Sequence, residues 1–244
     1  MKQTRMVNKK IVGVLGGMGP EATASLFQKI IEATPAKTDQ EHIHVIIDSN
    51  PKIPSRQAAI EGKGESPLPA MIESGNRLAR AGAHFIVVPC VTAHYFFTPL
   101  REKLAVPVLS ILEETEAYLR GNYPKIRAVG LLATRAIIST SLIQEALLKM
   151  PMRTFVPVME DQKLVQQSIA EIKNVRDADR RKSIRNNLLN VASRLIEEGA
   201  EGIIAGCTEI PLVLCAQDLP VPLLDTLQIL AAAAVREVFD NSGA

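Results

Sequence analysis

The chain has 244 residues and a formal net charge of +2, so charge alone gives no strong pull toward nucleic acid or an anionic membrane. Aromatic residues make up only 4% and tryptophan is absent, which argues against a base-stacking surface. No run approaches the ~20 apolar residues of a membrane helix, and a 47% hydrophobic content is enough to bury a core in one large domain or two modest ones.

From the N-terminus, Met1–Lys10 is polar and basic, and the apolar run after it, Ile11–Leu15, is short and passes straight into glycines. That pattern lacks the apolar centre of an export signal, so a cytoplasmic location with reduced thiols is expected. The three cysteines, Cys90, Cys207 and Cys215, show no CxxC or CxxH spacing, and no metal site is expected of them.

Short apolar, β-branched segments predict strands at Ile11–Leu15, Val45–Asp48, Phe85–Pro89 and Val106–Leu109. Helical periodicity predicts helices over Ala22–Thr34 and Pro69–Ala81. Between the first strand and first helix, Gly13–Glu21 is glycine-rich, with Pro20 suited to a first helical position. Its spacing is not G-x-G-x-x-G and no acidic residue follows at the distance a ribose needs, so it reads as a tight turn rather than a dinucleotide site. The second half repeats the alternation. Strands are predicted at Ala128–Leu132, Thr154–Val158, Gly202–Ala205 and Val221–Leu224, and helices over Ser141–Lys149, Leu164–Lys173, Arg180–Glu198 and Leu227–Asp240.

The halves superpose as sequences. Arg77-Leu78, Gly82-Ala83, Ile86 and Cys90 stand 117 residues before Arg194-Leu195, Gly199-Ala200, Ile203 and Cys207, and Gly13 stands 117 before Gly130. The expected fold is α/β, with two similar lobes each holding a mostly parallel four-stranded sheet flanked by helices. The lobes are expected over residues 1–117 and 118–244, with the C-terminal helix free to cross to the first. Recurring helix–glycine–strand punctuation explains the glycines. It does not explain a cysteine at the end of the corresponding strand in both halves. Ligands of parallel sheets bind outside the carboxyl ends of strands, so lobes related by a pseudo-twofold axis would bring Cys90 and Cys207 to one cleft.

Two facing thiols suit inversion at an α-carbon. One group, as thiolate, removes the proton on one face, and the other, as thiol, delivers a proton on the opposite face. Each cysteine is expected where a strand turns into a helix, whose free N–H groups favour an anion. Arg56, in the proline-stiffened loop Asn50–Arg56, would stand at the cleft mouth as a carboxylate receptor. Lys173, at a predicted helix end, reads first as a cap and second as a further cation. His94 reads as a packed or locally bonded side chain before an acid or base, and Cys215 as structural.

These motifs resemble the aspartate/glutamate racemase family, most closely its archaeal-type aspartate racemases. The resemblance runs from Ile11 to about Val238. It is carried by GVLGGMGPEAT (Gly13–Thr23), TPAKTDQEH (Thr34–His42), NPKIPSR (Asn50–Arg56), GKGESP (Gly62–Pro67), PCVTAH (Pro89–His94), SILEET (Ser110–Thr115), GLLAT (Gly130–Thr134) and AGCTEI (Ala205–Ile210). It implies two flavodoxin-like lobes, an acidic amino acid as substrate, proton transfer without pyridoxal phosphate, metal or other cofactor, and a homodimer. It further implies catalytic roles for Cys90 and Cys207. Substrate-binding positions would be Met18, Asn50, Arg56, Val91, Thr92, Ala93, Thr134, Lys173, Thr208 and Glu209. Two residues depart from the pattern. Val91 stands where the family has asparagine, and losing a directional hydrogen bond to a charged group costs about 1.5–3 kcal/mol. Ser55 stands where an aspartate is common beside the arginine, which leaves the orientation of Arg56 open. Alternatives are a related enzyme acting on glutamate, a hydantoin or a malonate, and a small-anion binder without activity.

Overall fold

The computed structural model describes residues 10–240. The polar stretch read over Met1–Lys10 lies outside them, apart from Lys10. One sheet comprises β1 (Val12–Gly16), β2 (Val45–Ser49), β3 (Phe85–Val87) and β4 (Val108–Leu109) in the order β2-β1-β3-β4. The other comprises β5 (Ala128–Leu132), β6 (Arg153–Phe155), β7 (Ile203–Ala205) and β8 (Leu223–Asp225) in the order β6-β5-β7-β8. Every pairing is parallel, so the expected pair of similar α/β lobes is what forms. The first lobe carries α1 (Pro20–Ala33), α2 (Arg56–Ile60), α3 (Leu68–Arg80) and α4 (Phe97–Lys103). Then come α5 (Ile111–Asn122), α6 (Arg135–Ser139), α7 (Leu142–Leu147), α8 (Met159–Ile172), α9 (Ala178–Glu197) and α10 (Thr226–Phe239). No helix among the described residues is long and apolar enough to cross a membrane.

The sequence repeat has a packing cause. Gly13 on β1 pairs with Ile86, and a methyl group placed on it would lie 2.9 Å from Ala83 and 3.3 Å from Leu78. Gly130 on β5 pairs with Ile203, and a methyl group there would lie 2.7 Å from Ile203 and 3.0 Å from Leu195. In both lobes the missing side chain lets the helix packed against that strand, α3 on β1 and α9 on β5, lie close on the sheet. Both helices end before a glycine at positive φ, Gly82 at 100° and Gly199 at 109°, a conformation that other residues adopt at a cost.

Three apolar clusters build the interior. Met71 and Leu78 of α3, with Ile86, fill the outer face of the first sheet. Val165, Leu188 and Leu195 of α8 and α9 fill the outer face of the second. The third cluster lies between the sheets and belongs to both: Val12, Val14, Leu26 and Ile30 meet Ile111 and Leu119, Val129 and Leu131, and Leu227, Leu230 and Ala234. α10 packs on α1 and α5. Asp225 caps α10 by accepting from the Leu227 and Gln228 N–H groups, and pairs with Lys29 of α1 at 2.9 Å. The expected boundary after residue 117 falls inside α5, so the chain has no linker there.

Because the middle cluster is common to both lobes, the protein is expected to unfold in one transition. Leu230, fully buried in it, should lose about 2–5 kcal/mol as Leu230→Ala. Urea unfolding followed by circular dichroism checks both points; two separated transitions would show that the lobes are independent.

Candidate functional site

The carboxyl ends of β3 and β7 face one small cavity of about 70 Å³ between the lobes. That is room for a few water molecules, and so for a small solute only. It is lined by both cysteines, and by Met18, Arg56, Val91, Thr92, Thr134, Lys173, Thr208 and Glu209. Two expected residues do not line it. Ala93 is buried in the first lobe's core, and the Asn50 side chain turns back to accept from the Lys52 N–H at 3.0 Å. Asn50 instead acts through its backbone, which lies so close to Gly17 that no side chain fits there, and Gly17 has φ of 90°. Ser55 and Gln57 line the cavity without having been expected to. Nothing in their residue types marks them, because they reach the cavity only through the path of α2.

Arg56 opens α2, whose N-cap Ser55 accepts from the Ala58 N–H at 3.2 Å. The Arg56 guanidinium donates to the carbonyls of Ile53, Pro54 and Met18 at 3.2, 2.9 and 3.2 Å. Carbonyls therefore orient it without the family's aspartate. They leave its charge unmatched: among the described residues it has no carboxylate partner, and its buried Nε has no hydrogen-bond acceptor.

Lys173 was expected first as a helix cap. It occupies the C-cap position of α8, just after Ile172, but its ammonium lines the cavity and stands 3.5 Å from Glu209 Oε1. Burial pulls its pKa down, yet the neighbouring Glu209 carboxylate outweighs this and leaves it raised. Glu209 is the centre of the second lobe's polar group. Its Oε2 accepts from the Cys207 thiol at 2.9 Å, and its Oε1 reaches the glycine turn of the first lobe, where a methyl group on Gly19 would lie 3.2 Å away. Burial pushes the Cys207 thiol well above its ordinary pKa, the Glu209 carboxylate adds to this, and Lys173 opposes it. The expected helix-dipole tuning of the thiols is not what Cys207 experiences. Only a three-residue 3-10 turn, Ile210–Leu212, follows it, too short for a helix dipole, and Cys90 precedes a 3-10 helix, Val91–Phe96.

His94 holds the first cysteine loop in place. Its ring Nε2 accepts from the Ile111 N–H at 3.1 Å, so Nδ1 carries the proton and donates to the Cys90 carbonyl at 3.0 Å. It also stacks on Phe97, with ring centroids 4.8 Å apart. Burial lowers its pKa to about 4. Thr134 caps α6 from the cavity wall, and Cys215 is exposed and free.

A histidine neutral in the folded state and protonated in the unfolded chain contributes stability above its unfolded pKa of 6.5, lost as pH falls toward about 4. The full effect of such a shift is about 3 kcal/mol. The unfolding free energy of the parent should therefore fall more steeply between pH 6.5 and 4 than that of His94→Gln, where this titration is absent. Equal slopes in urea titrations across that window would show that His94 is not held neutral.

The chain is similar to known racemases in sequence and in fold. A broad specificity amino-acid racemase, RacX, of Bacillus subtilis is 28% identical over 229 residues, covering 92% of this chain and 96% of that protein. The structure of an aspartate racemase from Picrophilus torridus superposes with a TM-score of 0.82 at 29% identity, covering 93% of each chain. That of an aspartate racemase homologue from Pyrococcus horikoshii superposes with a TM-score of 0.73 at 25% identity, covering 95% of this chain and all of that one. The family model for Asp/Glu/Hydantoin racemases matches residues 15–234, most of the chain, and the chain belongs to that family.

Proposed function

We propose that the protein is a cofactor-independent amino-acid racemase in which Cys90 and Cys207 exchange protons with the two faces of one α-carbon, with aspartate as the first substrate to test. The observation that carries the reading is the shared cavity: two cysteines on opposite lobes line it, together with an arginine that has no carboxylate of its own. A substrate carboxylate supplies the charge that Arg56 lacks, and a guanidinium fork suits it.

The reaction requires one thiolate and one thiol at a time. Cys207, buried and beside a carboxylate, rests as the thiol and serves as proton donor in one direction. In that direction the Cys90 thiolate takes the α-proton, and the Cys207 thiol delivers its proton to the opposite face. In the reverse direction the roles swap, so Cys207 must first lose its proton and the Cys90 thiolate must take one up from solvent to become the donor. Glu209 Oε2, already the acceptor of the thiol at 2.9 Å, is positioned to take it, and Lys173 offsets the charge that results. The α-carbon keeps its substituents throughout, and only one proton leaves and one arrives.

One observation favours a wider substrate range than aspartate alone. Lys173 is already matched by Glu209, so Arg56 is the cavity's unmatched cation. One free cation fits one carboxylate, and a relative is named for broad specificity.

Pure protein incubated in heavy water with L-aspartate, and separately with a panel of acidic and neutral amino acids, should incorporate α-deuterium and yield both enantiomers without added cofactor. Cys90→Ala and Cys207→Ala should each lower exchange at least about a hundredfold. Retention of racemisation in both variants would remove the two-thiol mechanism. Arg56→Gln should raise KM roughly tenfold to a hundredfold for every carboxylate substrate, as expected on losing a hydrogen bond to a charged group. An unchanged KM would remove Arg56 as the receptor.

A further inference from the structure

The resemblance assigns Thr208 to the substrate, but its hydroxyl is engaged elsewhere. Thr208 Oγ1 donates to the Pro89 carbonyl at 3.2 Å in a buried hydrogen bond between the two lobes. The bond joins the residue after one cysteine to the residue before the other. The Pro89 carbonyl belongs to the same peptide group as the Cys90 nitrogen, and that nitrogen donates to the Val88 carbonyl at 2.8 Å. The peptide that carries Cys90 is thus fixed from its own lobe on one side and from the second lobe on the other. A hydroxyl has one hydrogen. The other acceptor within reach, Glu209 Oε2, is farther away at 3.5 Å, so the hydrogen belongs to Pro89.

The internal repeat shows that this bond has no mirror image. The counterpart of Thr208, 117 residues earlier, is Val91, which has no polar atom on its side chain and packs into the cluster between the sheets. The distance between the two cysteine loops is therefore held by a hydroxyl on one side of the seam and by apolar packing on the other.

We infer that Thr208 is a positioning residue, whose hydroxyl sets the separation of Cys90 and Cys207 across the cavity instead of binding substrate. The consequence for rate rests on the proposed two-cysteine reaction; the effect on the sulfurs does not. Proton transfer to one carbon from two sides is sensitive to placement, and an error of ~1 Å can cost about a hundredfold.

Thr208→Val keeps the shape and removes the donor, and Thr208→Ser keeps the donor. In Thr208→Val, kcat should fall about tenfold to a hundredfold with KM changed by less than about threefold, while Thr208→Ser stays within about threefold of the parent. A second readout does not depend on turnover. In a Cys215→Ser background, diamide takes the two thiol hydrogens, and mass spectrometry follows formation of the Cys90–Cys207 disulfide. A disulfide needs the sulfurs ~2 Å apart and the Cα atoms within ~7 Å. Sulfurs held at a fixed separation should pair slowly in the parent and in Thr208→Ser, and faster in Thr208→Val. Should Thr208→Val not fold by circular dichroism, Thr208→Ala takes its place in both measurements. A rise in KM with kcat unchanged would make Thr208 a substrate ligand and overturn the inference, as would a disulfide rate that does not change. If the parent racemises none of the amino acids tested, the proposed function fails and the disulfide measurement alone decides on Thr208.

Discussion

The structure depends on the apolar cluster that the two sheets share. Inversion at a carbon, as proposed, asks for two groups on opposite sides at a fixed spacing, and one parallel sheet presents its strand ends on one side only. Two sheets with the same strand order supply the second side, provided they cannot drift apart. Helices α1, α5 and α10 fill the space between them, and α10, which follows the second sheet, spends its length on helices from before and across the middle of the chain. Burying these leucines and alanines from both halves makes one body of two lobes. The cavity is the gap that remains where the strand ends meet.

Polar contacts around the rim add direction to that packing. Glu61 pairs with Arg135 at 2.7 Å, and Gln166 donates to Gln57 at 3.3 Å, so α2, with Arg56 at its start, is tied to the second lobe. On another side, Glu21 of α1 holds both Arg176 and Arg181 across the lobes. Exposed ion pairs of this kind stabilise little individually. Their effect is to fix how the lobes face, and so where Arg56 stands relative to the sulfurs.

Much of this was legible in the sequence, because each lobe obeys strict local constraints. Gly13 and Gly130 repeat because a helix must lie close on each sheet, and Gly82 and Gly199 repeat because each helix must turn sharply into a strand. The constant spacing of the cysteines follows from these packing rules. What could not be read was anything depending on the path of a side chain in space. Lys173 reads as a cap because it closes a helix, and only the fold shows its ammonium beside Glu209. The Cys207 environment is not legible in the sequence, which shows that a turn follows the strand but not that the helix after it is only three residues long. Helix α5 went unassigned, although Ser110 caps it and Ile111, Thr115 and Leu119 recur every four residues. The strand-like run Val106–Leu109 leads directly into it and blurs the change of period.

The departures from twofold symmetry lie where the proposed chemistry is asymmetric. The backbone repeats at 117 residues, yet the residues beside the cysteines do not: Val91 faces Thr208, and Thr92 faces Glu209. A perfectly symmetric site would give both thiols the same environment, with nothing to decide which of them rests protonated. At Cys207, burial raises the thiol's pKa first of all, and Glu209 adds to this by placing a carboxylate 2.9 Å from the sulfur, where a second negative charge is disfavoured. The same carboxylate matches Lys173, so it also reduces the positive charge offered to a substrate side chain. One residue thereby couples the resting protonation of Cys207 to the charge of the binding cavity. Val91 lines the same cavity without a polar side-chain atom, which leaves Arg56 as the lining cation without a carboxylate partner among the described residues. In the proposed reaction the two lobes share a scaffold and divide its tasks, with anion recognition in the first and control of the proton in the second.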